Sequence, residues 1–134
     1  MDLELSFPKI KIEIKTRSFF SYRFADILLE TISVLKNNQI LKKGWLYTSQ
    51  ADVIIYVWKS EQKHKFQDGY LLFRKQLTDL ALAQNWDLKY PIRNVENKGY
   101  ITRNIAVPIN DLIKLNLIDP IKKDYNQILQ KWFV

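Results

Sequence analysis

The sequence predicts an α+β (mixed α/β) fold in which a central mixed β-sheet of about four to six strands is flanked by helices. Residues 9–15 alternate apolar and polar side chains strictly, which is the period of a half-buried strand. Residues 53–58 form a continuous apolar and β-branched run, which is typical of a strand buried on both faces. Residues 76–85 place apolar side chains at helical spacing. The chain has 134 residues and is 47% hydrophobic, so we expect a single domain over residues 1–134.

The N-terminal segment has the pattern of a β-hairpin. Residues 2–7 alternate in the same way as residues 9–15, and Pro8 stands between them, where a turn would be. On one face of this hairpin we expect core side chains, namely Ile10, Ile12 and Ile14.

Residues 25–34 are rich in aliphatic side chains and predict a strand, with a helix as the alternative because periodicity does not decide between them. Asn37 and Asn38 indicate a turn. Residues 48–52 predict either a tight turn or one helical turn, which leads into the apolar strand at residues 53–58.

The second half of the chain begins with a polar segment. Residues 59–68 predict a charged loop, and residues 69–73 predict a strand antiparallel to the one before the loop. Residues 76–85 predict a helix. Residues 89–104 are polar and turn-rich, with one short strand expected at residues 100–102.

Two helices are predicted near the C-terminal end, of which the first is short. Asn110 is expected to cap a helix over residues 111–115. Asp119 precedes Pro120, and a capping side chain before a proline indicates the start of a helix, which we expect to extend to about Trp132.

The composition excludes several kinds of chemistry. The chain has no cysteine, which excludes disulfides, cysteine nucleophiles and thiolate zinc sites. His64 is the single histidine, so a metal site with two histidines is excluded. The three glycines lie far apart and form no phosphate-binding loop. No apolar run approaches about 18 residues, and no secretory signal is visible, so a cytoplasmic protein is expected by default.

The charge of the chain indicates a polyanionic partner. Lysine and arginine number 21 against 14 acidic residues, which gives a net charge of +7 and a pI near 9.5. Such a balance favours nucleic acid as the partner, although basic charge can also serve solubility alone.

Three charged residues of the predicted hairpin form a candidate catalytic unit. Glu13 and Lys15 are two residues apart on a strand and therefore point to the same face. A tight turn at Pro8 would place Asp2 opposite Glu13 on that face. Two neighbouring carboxylates can bind Mg²⁺ or Mn²⁺, and the bound ion can activate a water molecule for attack on a phosphodiester. A nearby lysine can orient that water. The alternative is an ordinary surface hairpin with stabilising charge pairs.

Four segments in this order resemble the PD-(D/E)XK nuclease superfamily, which is restriction-endonuclease-like, and within it phage- and bacterial-type members. The matching segments are Asp2 before Leu-Glu-Leu, residues 12–16 (IEIKT), residues 27–30 (ILLE) and residues 44–56 (GWLYTSQADVIIY). The likeness covers roughly residues 2–115, and the order and spacing of the segments carry it.

The resemblance implies a role for each matching residue. Asp2 and Glu13 would bind the metal ion, and Lys15 would be the catalytic lysine. Glu30 would support the metal ligands, with a plain surface glutamate as the alternative, and Asp52 would brace a turn. Three further side chains would touch phosphate, namely Thr48, Ser49 and Gln50.

The resemblance also has a departure. Members of the superfamily normally have a helix and a strand before the metal-binding aspartate, whereas here that residue is Asp2. We therefore expect either a shortened core without those elements or another element in their place, and the sheet edge that their absence would expose favours a homodimer.

Basic side chains interleaved with aromatic ones suggest contacts with nucleic acid. Residues 17–24 combine Arg17 and Arg23 with four aromatic side chains and are expected to form a loop, and the polar loop beyond residue 59 contains Lys63 and Lys65. Packing against a core edge is the alternative for the aromatic segment.

Three classes of function remain open at this point. The first is a metal-dependent DNA endonuclease, and the second is a nuclease-fold domain that binds nucleic acid without cutting it. The third is an oligomerisation or adaptor domain.

Overall fold

Two four-stranded sheets and four helices make up the part of the chain that the computed structural model describes, which is residues 9–18, 24–60 and 66–121. The predicted α+β class is confirmed, with the strands divided between two sheets where one central sheet was expected. In chain order the elements are β1 (Ile12–Arg17), β2 (Asp26–Lys36), β3 (Gln39–Lys43), α1 (Trp45–Thr48), β4 (Val53–Lys59), β5 (Phe66–Phe73), α2 (Arg74–Ala83), α3 (Trp86–Lys89), β6 (Ile92–Asn97), β7 (Tyr100–Pro108), α4 (Ile109–Lys114) and β8 (Ile118–Pro120).

The first sheet has the strand order β1-β4-β5-β8. β1 runs parallel to β4, with Glu13 beside Ile54 and Lys15 beside Tyr56, while the other two pairings are antiparallel. β4 lies inside this sheet, and five successive residues of β4 are buried. The prediction of a strand buried on both faces is therefore confirmed.

The second sheet is antiparallel and has the order β3-β2-β7-β6. β2 and β3 are joined by Asn37 and Asn38, both with left-handed backbone (φ 52° and 61°), which is the geometry of a tight hairpin turn. The predicted turn is confirmed, and the strand at residues 25–34 is confirmed as β2. Gly99 has φ 88° in the β6–β7 turn, a conformation that favours glycine.

One hydrophobic core joins the two sheets and the helices. Ile27 of the second sheet and Ile54 of the first are both inaccessible to solvent and belong to the same cluster. Leu77 of α2 and Leu112 of α4 add helical side chains to it, and Trp86 of α3 is buried there as well. The predicted helix near residues 76–85 is confirmed as α2, which begins two residues earlier.

The predicted core face of β1 is wrong. Ile10, Ile12 and Ile14 are exposed, and Ile12 keeps 52% of its surface accessible. The register places these side chains on the face of the first sheet that lies away from the main core, on an edge strand beside the smaller buried cluster that contains Ile55. The opposite face of β1 carries the side chains of Glu13 and Lys15. These side chains point to the same side of the sheet as their neighbours Ile54 and Tyr56, which belong to the main core.

The expectation of a mostly irregular segment at residues 89–104 is also wrong. These residues form β6 and the first half of β7, and the short strand expected at residues 100–102 is the start of the nine-residue β7. All six residues of β6 are exposed, and β6 lies at an edge of the second sheet. Such a strand has no apolar face and therefore no alternation to recognise.

The short helix predicted over residues 111–115 is confirmed as α4, but both capping signals near the C-terminal end were misread. α4 begins at Ile109 with Pro108 at its N-cap, and no side chain caps it, so the role predicted for Asn110 is wrong. Asp119 and Pro120 belong to β8, where Ile118 is buried and pairs with Leu72 of β5. Proline is tolerated at this place because β8 is an edge strand. The predicted hairpin partner at residues 2–7 and the predicted helix beyond residue 121 lie outside the described residues.

In the described part of the chain, no helix is long and apolar enough to cross a membrane.

Candidate active site

Glu13 and Lys15 meet on the inward face of β1, as their spacing predicted. The lysine Nζ lies 3.7 Å from Oε2 of Glu13, and both side chains are partly exposed. Each residue stands beside a buried residue of β4, so the rigid centre of the first sheet fixes the position of both backbones. The pair is therefore held at the rim of the core, within reach of a solute.

Ser49 fixes the other oxygen of the Glu13 carboxylate. Its hydroxyl donates to Oε1 of Glu13 over 2.9 Å and accepts a hydrogen bond from the backbone N–H of Ala51 over 3.1 Å. Ser49 stands directly after α1, at its C-cap. The carboxylate is thus oriented by the end of a helical turn on one side and by Lys15 on the other. Ser49 therefore contacts the Glu13 carboxylate of the candidate site, whereas the resemblance implied that it would touch phosphate.

Trp45 and Glu30 complete this side of the site. The ammonium of Lys15 lies 5.8 Å from the centre of the Trp45 ring, a distance at which cation–π attraction operates. The backbone N–H of Trp45 donates to Oε1 of Glu30 over 3.2 Å. Glu30 therefore braces the start of α1, and α1 in turn supplies the ring under Lys15.

The close approach of α1 to β2 depends on Gly44. A Cβ at this position would lie 2.2 Å from the backbone oxygen of Glu30, which is far inside van der Waals contact. The Gly44 N–H donates to the carbonyl of Thr31 over 2.9 Å, which ties the turn to β2. Glycine is therefore required sterically, and its placement sets the position of Trp45.

Asp52 braces the turn before β4, in agreement with the role that the resemblance implies. Its Oδ2 accepts from the backbone N–H of Lys11 over 2.8 Å, and its own N–H donates to the carbonyl of Lys11 over 2.8 Å. These contacts attach the start of β1 to β4.

Arg17 points into the protein. Its Nη1 lies 2.7 Å from Oδ1 of Asp26, and the two side chains keep only 10% and 11% of their surface exposed. The same nitrogen donates to the Asp26 carbonyl over 2.7 Å. Burial raises the pKa of the neighbouring Tyr56 hydroxyl, although Arg17 opposes the rise. This placement favours the packing alternative for Arg17. The other proposed nucleic-acid contacts, Arg23, Lys63 and Lys65, lie outside the described residues.

The described part of the site offers one carboxylate for a metal ion. Glu13 has the hard oxygen donors that Mg²⁺ and Mn²⁺ prefer, while the Glu30 carboxylate is engaged by the Trp45 backbone. Within residues 9–18, 24–60 and 66–121, no three histidine, aspartate or glutamate side chains gather in a group that could hold a metal ion. Asp2, the second expected ligand, lies outside these ranges.

Sequence reasoning missed two contacts that position the pair. Neither the Ser49 contact to Glu13 nor the Trp45 contact to Lys15 was expected, because the two partners are 36 residues apart in the first contact and 30 in the second. The signal that was present is the GWLYTS segment at residues 44–49, whose glycine and tryptophan stand directly before the turn.

No protein-family model, no curated protein and no solved structure matches this chain.

Proposed function

We propose that this protein is a metal-dependent DNA endonuclease of the PD-(D/E)XK type, which hydrolyses phosphodiester bonds. The observation that carries the proposal is the paired placement of Glu13 and Lys15 on one partly exposed face of β1, with their charged groups 3.7 Å apart. A carboxylate beside an ammonium at the rim of a core is the arrangement that the Glu-x-Lys unit requires.

The site residues have distinct roles under this proposal. Glu13 and Asp2 would hold Mg²⁺ or Mn²⁺, which when bound polarises the phosphodiester and promotes ionisation of a water molecule. Lys15 would orient the attacking water and balance negative charge on the phosphate. Ser49 would keep the Glu13 carboxylate in one orientation, and the Trp45 ring would limit the movement of the Lys15 ammonium.

The net charge of +7 supports DNA as the substrate. Summed positive charge attracts a polyanion and raises the rate of encounter, and this attraction weakens as salt rises. We therefore expect DNA binding that is steeply salt-dependent.

A second candidate is a nuclease-fold domain that binds nucleic acid without cutting it. It is favoured by the same carboxylate, because both oxygens of Glu13 already have protein partners, in Ser49 and Lys15.

Plasmid cleavage with Mg²⁺ or Mn²⁺ separates the two candidates. The test variants are Asp2→Asn, Glu13→Gln and Lys15→Met. Glu96 and Lys98 form another Glu-x-Lys, at the exposed β6–β7 turn, and serve as a matched control. The control variants are Glu96→Gln and Lys98→Met. The endonuclease proposal is supported if the wild type and the control variants cleave the plasmid with metal and the test variants do not. Salt-sensitive DNA binding without cleavage by the wild type supports the second candidate.

A further inference from the structure

A groove of about 590 Å³ lies between the second sheet and the helices. All four strands of that sheet line one wall, and α1, α2 and α3 contribute the other. Its apolar lining comes from Ile32, Ile40, Ile92 and Ile105 on the sheet and from Ala81, Leu82 and Leu88 on the helices. The volume is within the range of ligand-binding clefts, which is about 300–1,000 Å³. The groove includes none of Glu13, Lys15 and Ser49.

Large apolar side chains are exposed around this groove. Leu88 of α3 keeps 87% of its surface accessible, and Leu82, Ile40 and Ile92 are exposed as well. Single exposed leucines are ordinary on protein surfaces, but four around one concavity make a contiguous patch of the kind that marks an interaction site.

The polar residues of the groove give it a positive character. Lys43 and Arg103 line the sheet wall, and no acidic side chain of the described residues pairs with either. The one acidic lining residue, Asp87, accepts a hydrogen bond from the Tyr47 hydroxyl over 2.6 Å. Two cations without acidic partners therefore stand beside apolar walls.

We propose that this groove binds an acidic amphipathic segment of a partner protein. Aliphatic side chains of the segment would pack between the sheet and α3, while its carboxylates would pair with Lys43 and Arg103. β3 is one of the two edge strands of this sheet and all five of its residues are exposed, so an extended segment can also bind its main chain. A second copy of this chain fits the charge less well, because each copy has a net charge of +7.

Fluorescence anisotropy with a defined probe tests this proposal. The probe is a short fluorescein-labelled peptide in which aspartate alternates with leucine and phenylalanine. One control peptide replaces aspartate with lysine, and another replaces the apolar residues with serine and glycine. We expect the protein to bind the probe and neither control peptide, because the proposed groove requires both acidic and apolar groups in its ligand.

Paired variants locate the binding. The double variant Lys43→Glu, Arg103→Glu is expected to weaken binding of the probe about ten-fold or more, since two favourable charge contacts become repulsive. Its control is Lys98→Glu, Lys114→Glu, which changes the net charge equally at exposed positions outside the groove. Leu88→Ser should also weaken binding of the probe. Ile113→Ser, which changes an exposed aliphatic side chain on α4, should not.

Four results would overturn the proposal. The first is failure of the wild type to bind the probe, and the second is an equal loss in the control double variant. The third is displacement of the probe by duplex DNA together with loss of DNA binding in the groove variant, which would make the groove a nucleic-acid surface. The fourth is a wild-type dimer in sedimentation that Leu88→Ser dissociates, which would make it a contact between two copies.

Discussion

The Ser49 hydroxyl donates a 2.9 Å hydrogen bond to Oε1 of Glu13, and this contact joins the end of α1 to β1. It leaves the glutamate carboxylate in one orientation, with its second oxygen facing Lys15. The proposed chemistry depends on that orientation, because a carboxylate that rotates freely binds a metal ion less well.

Removal of this hydroxyl should reduce activity without unfolding the protein. We expect Ser49→Ala to lower metal-dependent cleavage about 10- to 100-fold, which is the usual cost of losing a group that orients a metal ligand. Ser49→Thr, which keeps the hydroxyl, should restore most of the activity. The control is Thr102→Val, because the Thr102 hydroxyl donates to the Ser33 carbonyl in the second sheet, whereas Glu13 lies in the first. Equal activity of Ser49→Ala and wild type would contradict the positioning role.

The buried ion pair of Arg17 and Asp26 should be important for stability. Asp26→Asn or Arg17→Met leaves an uncompensated charge in a site where both side chains are about nine-tenths buried, so we expect a loss of about 3–5 kcal/mol in the free energy of unfolding. Urea denaturation measures this loss, with the exposed Asp119→Asn as the control. A loss below about 1 kcal/mol would show that the pair behaves as a surface salt bridge.

Gly44 should tolerate no side chain. We expect Gly44→Ala to lower the free energy of unfolding by about 1–3 kcal/mol or more. The reason is that the added methyl carbon would lie 2.2 Å from the backbone oxygen of Glu30. Gly99→Asn is the matched control: nothing lies within 4 Å of a Cβ there, and asparagine accepts the left-handed backbone. Thermal unfolding compares the two. A Gly44→Ala protein as stable as wild type would mean that α1 lies farther from β2.

The Tyr47 hydroxyl should ionise only at strongly alkaline pH. Burial first, and then the hydrogen bond to Asp87, raise its pKa above the ordinary value. This phenol therefore stabilises the fold fully below its unfolded-state pKa of about 10, and the contribution is lost as pH rises through the higher folded-state pKa. The difference in phenolate absorbance between wild type and Tyr47→Phe reports its titration. Asp87→Asn should move that titration to lower pH, and an unchanged titration would contradict the hydrogen bond.

Local sequence patterns predicted the interior elements well. The continuous apolar run of β4, the aliphatic run of β2 and the helical spacing of α2 all correspond to elements with a buried face. The turn at Asn37 and Asn38 was also predictable, because asparagine accepts the left-handed backbone that a tight hairpin requires.

Edge elements were predicted poorly for a physical reason. β6 is exposed at all six residues, so no hydrophobic periodicity distinguishes it from a loop. β1 alternates correctly, but alternation does not say which face meets the core. Its isoleucines lie on the face away from the main core and Glu13 lies on the side of that core, because the pairing with β4 decides the orientation.

The candidate site was predictable only in its local part. Glu13 and Lys15 share a face because they are two residues apart on a strand. Their partners Ser49 and Trp45 come from a turn whose position depends on Gly44 meeting β2, and long-range packing of this kind leaves no mark in the spacing of residues.

The most direct test of the proposed nuclease is a cleavage assay on supercoiled plasmid with Mg²⁺ or Mn²⁺, which compares wild type with Glu13→Gln and with the control Glu96→Gln. The proposal predicts cleavage by the wild type and by Glu96→Gln, loss of cleavage in Glu13→Gln, and no cleavage by any of the three with a metal chelator. Equal cleavage by the wild type and Glu13→Gln, or no cleavage by the wild type with either metal, would contradict it.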